Sequence, residues 1–256
     1  MEFIVALAAF TASLLTLFSG FGLGTILTPV FGLFFPLNIA VALTGIVHLL
    51  NNLFKLTLLG KNASRTYVLR FGIPSVIGGF VGAMLLAGLS KVPVWATWSF
   101  QGKIFEVTAL KIAIAVLMIF FALMEMVPRL KNIQFAKQYL SFGGLLSGFF
   151  GGLSGHQGAL RSAFLVNAGL TKEIYIATGV VIACMVDMTR LPVYFNGFVR
   201  EDLTSQWPVL LAATLSAFAG AWLGNRFMKK ITLEAVQKLT AVMIIAIAVL
   251  LGMGIR

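Results

Sequence analysis

Charged residues are scarce in this chain, and their scarcity limits what the chain can be. Only 11% of its 256 residues are Asp, Glu, Lys or Arg, while 59% are hydrophobic. An ordinary soluble domain carries about 25% charged residues. A soluble chain of this composition could not cover its own surface with polar groups. Lipid is therefore the solvent that the composition predicts for most of the chain.

Cysteine and histidine are rarer still, and several functional motifs are missing. The one cysteine, Cys184, cannot form an internal disulfide. The two histidines, His48 and His156, belong to no cluster with metal-ligand spacing. Neither a G-x-S-x-G nucleophile motif nor a nucleotide-binding P-loop is present. We therefore expect no enzyme activity, no cofactor, no metal and no ATP drive within the chain.

Acidic residues are the scarcer charge, with 8 against 19 basic ones and a net charge of +11. The basic residues lie in short loops between apolar runs, without interleaved aromatics, so they indicate cytoplasmic loops of a membrane protein and no nucleic-acid partner. Near the start the only charge is Glu2. Because a signal peptide begins with a basic region, we interpret the first apolar run as a membrane element.

Ten apolar runs follow one another along the chain. Six are about 20 residues long, enough to span ~30 Å of hydrocarbon: 39–59, 71–89, 107–127, 174–195, 207–226 and 236–255. The other four form two pairs, 3–18 with 20–35 and 139–151 with 159–170. Glycine-rich breaks at 19–25 and 151–158 divide the pairs. Such breaks at membrane depth are typical of transporter binding sites, with close helix packing as the alternative.

Three short motifs occur twice, in the same order and with similar spacing. They are Ser19-Gly20-Phe21 with Ser147-Gly148-Phe149, Thr44-Gly45-Ile46-Val47 with Thr178-Gly179-Val180-Val181, and Phe80-Val81-Gly82-Ala83 with Phe218-Ala219-Gly220-Ala221. Three matches in register predict an internal duplication. The predicted domains are an N-terminal repeat, 1–128, and a C-terminal repeat, 129–256, which together form one transport domain.

The loop charges favour a topology in which each short pair returns to its starting side. One face then collects most of the basic residues: Lys61, Arg65, Arg70, Arg129, Lys131, Lys137, Lys172, Arg226, Lys229, Lys230 and Lys238. The other collects Lys91, Lys103, Lys111, Arg200 and Arg256. If each pair crossed once instead, this bias would nearly vanish, so the positive-inside rule favours the hairpins and places both termini outside. Two full crossings per pair would give the same loop sides.

The predicted fold is therefore an all-α polytopic membrane protein with two inverted repeats. Each repeat is a re-entrant or broken-helix hairpin followed by three transmembrane helices, which makes roughly eight helical membrane elements. An odd number of full crossings per repeat inverts the second repeat relative to the first.

Ionisable residues inside the apolar runs need a reason, because each costs about 2.5–3.5 kcal/mol at a helix centre. One helix face of the third run carries His48, Asn51, Asn52 and Lys55. At the equivalent place in the second half lie Asp187 and Arg190, which can pair. We expect these six residues to line the transport path or to couple it to an ion. Snorkelling of Lys55, helix–helix hydrogen bonding and a structural ion pair are the alternatives.

The two breaks supply the predicted substrate site. Its members are Gly22, Gly24, Thr25, Ser154, Gly155, His156, Gln157, Arg161 and Ser162. Arginine carries a fixed fork of donors suited to oxyanions, and the ends of broken helices offer free N–H groups. Together these features predict an anion site, with a structural role for Arg161 as the alternative. Either histidine is a candidate for proton coupling.

These motifs resemble those of the sulfite exporter TauE/SafE family over nearly the whole chain. The resemblance rests on 19–25 with Thr28-Pro29 and on Ala42-Leu43-Thr44-Gly45, repeated in the second half at 146–152 and 177–179. The second hairpin departs from the pattern, since no proline stands where Pro29 does in the first. The resemblance implies a permease of about eight helices for sulfite, sulfonates and related organosulfur anions.

We therefore expect a secondary transporter of a small anion that works by alternating access in a bacterial-type inner membrane. An anion channel, a membrane-embedded enzyme and a membrane subunit without its own substrate are the alternatives. The expected partners are the anion, the bilayer and a coupling proton or cation. The motifs Gly78-x-x-x-Gly82 and Gly220-x-x-x-Gly224 are compatible with an oligomer, although packing within the chain is the use we expect.

Overall fold

The computed structural model describes residues 1–19, 22–59, 62–131, 133, 135–165, 168–199, 206–227 and 233–255. Gly20 and Phe21 of the first break lie outside these ranges, as do the loop charges Lys61, Arg200, Lys229, Lys230 and Arg256.

Within the described residues the chain forms ten helices of eight residues or more. They are α1 (Glu2–Ser19), α2 (Leu23–Gly32), α3 (Leu37–Leu59), α4 (Ile73–Leu89), α5 (Ala109–Met126), α6 (Leu140–Ser154), α7 (Gly158–Leu165), α8 (Lys172–Tyr194), α9 (Trp207–Phe227) and α10 (Leu233–Gly252). Helix α4 continues a helical run that starts at Arg65 and passes through a π-helical turn at Val68–Gly72. The all-α polytopic fold class is confirmed.

Four helices in the described part of the chain are long and apolar enough to cross a membrane. They are Leu37–Leu58, Arg65–Leu89, Lys172–Gly197 and Trp207–Gly224. Local sequence fixes where several helices begin. The hydroxyl of Thr108 accepts a hydrogen bond from the Lys111 N–H at the start of α5, and that of Thr171 accepts one from Ile174 N–H at the start of α8. Both satisfy amide groups that have no partner within the helix.

The first hairpin, α1 with α2, returns to the end from which it starts. Helix α1 runs in the direction of α3, since Ser13 Oγ lies 3.2 Å from the Asn51 amide and Thr16 shares a cavity with Lys55 further along. Helix α2 runs back along α3. Gly24 lies beside Thr44, and Gly32 lies beside Leu37 at the start of α3.

The second hairpin, α6 with α7, also returns to its own starting end. Helix α6 runs parallel to α4, with Gly144, Gly148 and Gly152 against the backbone of Phe71, Ser75 and Gly79 in turn. Helix α7 then turns back. The ring of Phe164 lies 6.2 Å from that of Phe71, and Phe135 N–H donates to Ala163 O at 3.2 Å.

The breaks of the two hairpins meet inside the molecule. A Cβ atom on Gly24 would lie only 2.8 Å from the carbonyl oxygen of Gly155, so only glycine fits there. Gly155 ends α6 in the left-handed conformation, with φ of +83°, which glycine adopts without strain. These two glycines let the tips of both hairpins touch.

The loops gather at two ends of the bundle, as the hairpin topology requires. At one end Ser64 N–H donates to Thr178 Oγ1 (2.9 Å) and Ser141 Oγ–H donates to Arg70 O (3.1 Å). This is called the basic end. At the other, Trp98 Nε1–H donates to Met253 O (2.7 Å).

Among the described residues, a two-stranded antiparallel sheet at this second end is an element that the all-α prediction lacks. Strands β1 (Ala96–Phe100) and β2 (Lys103–Val107) are joined by Gln101 and Gly102, both with positive φ. That pair of angles is typical of a type I′ hairpin turn. The rings of Trp98 and Phe105 stack across the strands at 4.6 Å. We call this end the β-hairpin end.

The helices pack in a pattern that exchanges the two halves. Helix α1 packs against α9 and α4 against α6; α3 packs against α8, and α5 against α10. If each helix of the first half is matched with the helix five places later, α1 corresponds to α6 and α4 to α9. The α1–α9 contact then corresponds to the α6–α4 contact, and the α3–α8 and α5–α10 contacts each correspond to themselves. The pattern supports the predicted duplication, and the division at residue 128 stays a prediction.

Candidate functional site

A cavity of about 40 Å³ lies beside the first break, between the first hairpin, α3, α7 and α8. It is lined by Thr16, Gly22, Leu23, His48, Asn52, Lys55, Arg161, Tyr175, Ile176, Gly179 and Val180. One water takes up roughly 10–15 Å³ on this measure. The cavity therefore has room for about three waters or one small oxyanion.

Lys55 supplies one positive charge to this cavity. Its side chain is buried in the last two turns of α3. When the Asn51 amide is turned to satisfy both of its ends, its oxygen accepts from Lys55 Nζ at 3.1 Å and its nitrogen donates to Ala217 O at 3.2 Å. No ion pair joins Lys55 to an acidic side chain in the described residues.

Arg161, on α7, supplies the second positive charge. Its guanidinium lies over Gly179 of α8, where a Cβ atom would be 3.2 Å from Nε. Its Nη1 group is buried and has no hydrogen-bond partner among the described residues. A buried donor without a partner costs about 1–3 kcal/mol. A ligand oxygen in the cavity would remove that cost.

Asp187 is the buried acid beside the cavity, and it ties the two halves together. His48 Nδ1, on α3, lies 2.6 Å from Asp187 Oδ2 on α8. Arg190 Nε donates to Asp187 Oδ1 at 2.9 Å, while Nη2 lies 2.8 Å away but off the hydrogen-bond direction. Both carboxylate oxygens are thus engaged, and Asp187 offsets the charge of Arg190. We call His48, Asp187 and Arg190 the central lock.

The lock extends to the second hairpin. Arg190 Nη1 donates to the carbonyl oxygen of Gly151 at 2.8 Å, and the Tyr194 hydroxyl donates to that of Gly152. Both carbonyls lie in the last turn of α6, so α8 holds the hairpin through the C-terminal carbonyl groups of that helix. Breaking one partner of such a buried pair costs about 3–5 kcal/mol.

The predicted tip residues of the second hairpin do not line the cavity. Ser154 Oγ–H donates to Phe150 O at 3.0 Å, and His156 Nδ1 lies 3.0 Å from Ser154 O. The His156 ring stacks on Phe121 of α5 at 5.6 Å. Within the described residues, the Gln157 amide and His156 Nε2 are buried without hydrogen-bond partners. The tip is thus polar but faces away from Lys55.

The other predicted residues divide between the cavity and its support. Gly22, His48 and Asn52 line it, while Gly24 and Gly155 form the contact between the tips. Thr25 is buried in the first turn of α2. Ser162 supports α7: its hydroxyl donates to Gly158 O at 3.0 Å and accepts from the Tyr175 hydroxyl at 2.8 Å.

Sequence reasoning did not select Thr16, Tyr175 and Gly179, which also line the cavity. Gly179 belongs to the repeated Thr-Gly motif, and Tyr175 lies one helical turn before Thr178. That motif could have identified both residues, had it been considered as part of the site. Thr16 carries no such signal. Among the described residues no group of three His, Cys, Asp or Glu side chains is placed to hold a metal.

Two hairpins that enter from opposite ends and meet beside a cation-lined cavity are typical of secondary transporters. A comparison with protein families gives a match to the model described as "Sulfite exporter TauE/SafE" over residues 5–251. The chain therefore belongs to the sulfite exporter TauE/SafE family, which confirms the resemblance seen in its glycine-rich motifs. Members of this family are membrane transporters, which supports a transport function over an enzymatic one. No curated protein and no solved structure matches the chain.

Proposed function

We propose that the protein is a secondary transporter of a small sulfur oxyanion or organosulfonate, with sulfite as the type of substrate. The observation that carries this proposal is that Lys55 and Arg161 line the same small cavity. Both face it from different helices, and no ion pair in the described residues neutralises either. Two cations at one cavity inside the membrane favour an anion, because leaving them uncompensated there is costly.

The rest of the lining suits an oxyanion. Helix α2 begins at the cavity, with Gly22 as its N-cap and no side chain capping the first turn. Its free N–H groups and positive dipole end favour negative charge. Asn52, Thr16 and Tyr175 add hydrogen-bonding groups around the cavity.

Alternating access fits the placement of the cavity relative to the lock. The cavity lies beside Lys55, toward the basic end of α3, whereas the lock and the contact between Gly24 and Gly155 lie further toward the β-hairpin end. These contacts support a conformation in which the path to the β-hairpin end is closed. We propose that movement of one hairpin against the other opens that path and closes the first. The two contacts of α8 with Gly151 and Gly152 would have to change in this movement.

We further propose an inner-membrane location with the basic end in the cytoplasm and both termini outside. The support is the collection of Arg65, Arg70, Lys137 and Lys172 near one end, as the positive-inside rule requires.

The test is thermal stabilisation of the purified protein by sulfite, thiosulfate, sulfate, sulfoacetate, taurine, acetate and chloride. A ligand at 100 times its Kd adds about 2.7 kcal/mol to the free energy of unfolding. At about 2–4 °C per kcal/mol, the transition should rise by roughly 5–10 °C. We expect sulfite to give this rise and acetate and chloride to give little.

The matched variants are Arg161→Gln and Arg70→Gln. Arg70 is exposed at the basic end, so its loss should leave the sulfite shift intact. Loss of Arg161 removes the unpaired donor from the cavity and should abolish the shift. An Arg161→Gln protein that keeps the full shift would contradict the proposed site.

A further inference from the structure

His48 occupies the boundary between the anion cavity and the central lock. It lines the cavity and contacts Asp187 on the other side. We propose that His48 is a proton-binding site linked to the anion site, so that one proton is taken up as the anion binds. This inference rests on the proposed function, since it needs an anion in the cavity.

The hydrogen bonds assign a role to each ring nitrogen. Nδ1 lies 2.6 Å from Asp187 Oδ2 and donates its hydrogen to that carboxylate. In the neutral ring Nε2 then carries the lone pair. Asn52 Nδ2 lies 3.3 Å from Nε2 and 3.1 Å from Nδ1, and since Nδ1 already donates its hydrogen, Nε2 is the nitrogen that can accept. Nε2 also faces the first break, since a Cβ on Gly22 would lie 3.9 Å from it. Nε2 is thus the atom that can accept a proton next to the cavity.

The charges around His48 explain why an anion would bring a proton with it. The titratable and charged groups that face it are Asp187, Arg190 and Tyr175 from α8, Arg161 from α7, and Lys55 from its own helix. Among the described residues, α1 and α2 contribute no titratable group to the cavity lining. With the cavity empty, three cations oppose a further positive charge on the ring, and Asp187 is already engaged by Arg190. An anion between Lys55 and Arg161 offsets that opposition.

The step is a simple proton transfer from solution. A proton adds to the Nε2 lone pair, and no other bond forms or breaks. The new N–H group can donate to an anion oxygen, while the Asn52 amide turns so that its oxygen faces the ring. When the anion leaves, the proton returns to solution. Because linkage is reciprocal, a lower pH must then tighten anion binding.

Proton uptake can be measured directly in unbuffered detergent solution near pH 7 with a pH indicator, while thiosulfate is titrated in. Thiosulfate carries no proton at this pH, so any uptake comes from the protein. We expect about one proton per anion bound. Binding without uptake would overturn the inference while leaving the proposed function intact. If thiosulfate, sulfite and sulfate all fail to bind, the proposed function itself fails.

The two histidines allow the site to be identified. His156→Gln removes the histidine that stacks on Phe121, away from the cavity, and leaves His48 as the only histidine in a chain without a polyhistidine tag. This variant should still take up a proton with each anion, and His48→Gln should not. Nitrogen-15 spectra of the His156→Gln protein report the state of His48 itself. An Nε2 signal that stays neutral when thiosulfate saturates the site would overturn the inference, even if His48→Gln fails to fold.

Discussion

At the scale of single residues, both repeated Thr-Gly pairs place a glycine against the guanidinium group of an arginine. A Cβ on Gly45 would lie 3.3 Å from Arg190 Nη2, and one on Gly179 would lie 3.2 Å from Arg161 Nε. The same motif therefore leaves room for the arginine of the lock in one half and for the arginine of the anion cavity in the other. Glycine is required here for close approach, since neither position has a positive φ.

We expect Gly179→Ala to weaken sulfite binding about tenfold, or by ~1.4 kcal/mol. The added methyl group pushes the Arg161 guanidinium by a few tenths of an ångström and misplaces its unpaired Nη1 donor. The measurement is the sulfite Kd by calorimetry. Gly88→Ala is the control, because a Cβ on Gly88 meets nothing within 4 Å. Equal affinity in the two variants would show that the position of Arg161 does not limit binding.

The sequence identified most of the polar side chains at this site but not which way each one faces. His48, Asn52 and Lys55 share a helix face by spacing alone, and all three line the cavity. Gln157 is four residues before Arg161, yet it precedes the first residue of α7, and its side chain packs against Gly151 instead. Helical periodicity cannot orient a residue that lies outside the helix. The composition therefore predicted that the tip of the second hairpin is polar, but the direction of its side chains depends on packing.

At the scale of elements, glycine is what lets α4 and α6 approach each other. Gly78 and Gly82 of α4 face the carbonyl oxygens of Leu145 and Phe149, and Gly148 faces that of Ser75. A Cβ at any of the three would overlap a backbone atom. The motif Gly78-x-x-x-Gly82 is thus used within the chain, as predicted, because its face is covered by α6.

We expect Gly148→Ala to lower the free energy of unfolding by about 2–3 kcal/mol, since a side chain there forces two backbones apart. The measurement is denaturant unfolding in mild detergent, again with Gly88→Ala as the control. The change lies on the hairpin that carries Arg161, so sulfite binding should weaken along with stability. A Gly148→Ala protein as stable as the control would mean that α4 and α6 are not in close contact in the detergent-solubilised protein.

The helices could be predicted almost throughout, because lipid leaves the backbone few alternatives. The run 174–195, for example, is observed as Lys172–Tyr194. The β-hairpin could not be inferred from that argument, because it extends beyond the helix ends. Its signal was local: Trp98 and Phe100 alternate with small polar residues, and Gln101-Gly102 follows. Alternating polar and apolar residues around a turn predict strands in the loops outside the membrane. Inside the membrane, the backbone must form helices whatever the local pattern.

At the scale of the whole molecule, the two halves interlock instead of standing side by side. Each hairpin packs against a long helix of the other half, α1 on α9 and α6 on α4, and α3 packs on α8 at the centre. Neither half can therefore bury its own hairpin alone. We expect a movement of one hairpin against the other to change the central lock, because His48 of one half contacts Asp187 of the other there.

The loop charges predict the orientation of this assembly in the membrane, and the prediction can be tested with single cysteines. The background is Cys184→Ser, since Cys184 is the only native cysteine and is buried. Ser99→Cys places a thiol on the exposed face of β1, and Thr66→Cys places one at the exposed basic end. With the basic end in the cytoplasm, a membrane-impermeant maleimide should label Ser99→Cys in intact cells and Thr66→Cys only after permeabilisation.

The possible labelling patterns test the predicted orientation. If only Thr66→Cys is labelled in intact cells, the protein has the opposite orientation. The cavity would then be reached by sulfite from the outside in this conformation. Labelling of both thiols in intact cells would contradict a membrane between the two ends. The predicted pattern would place the cavity beside Lys55 and Arg161 toward the cytoplasm, where an exporter must first meet its anion.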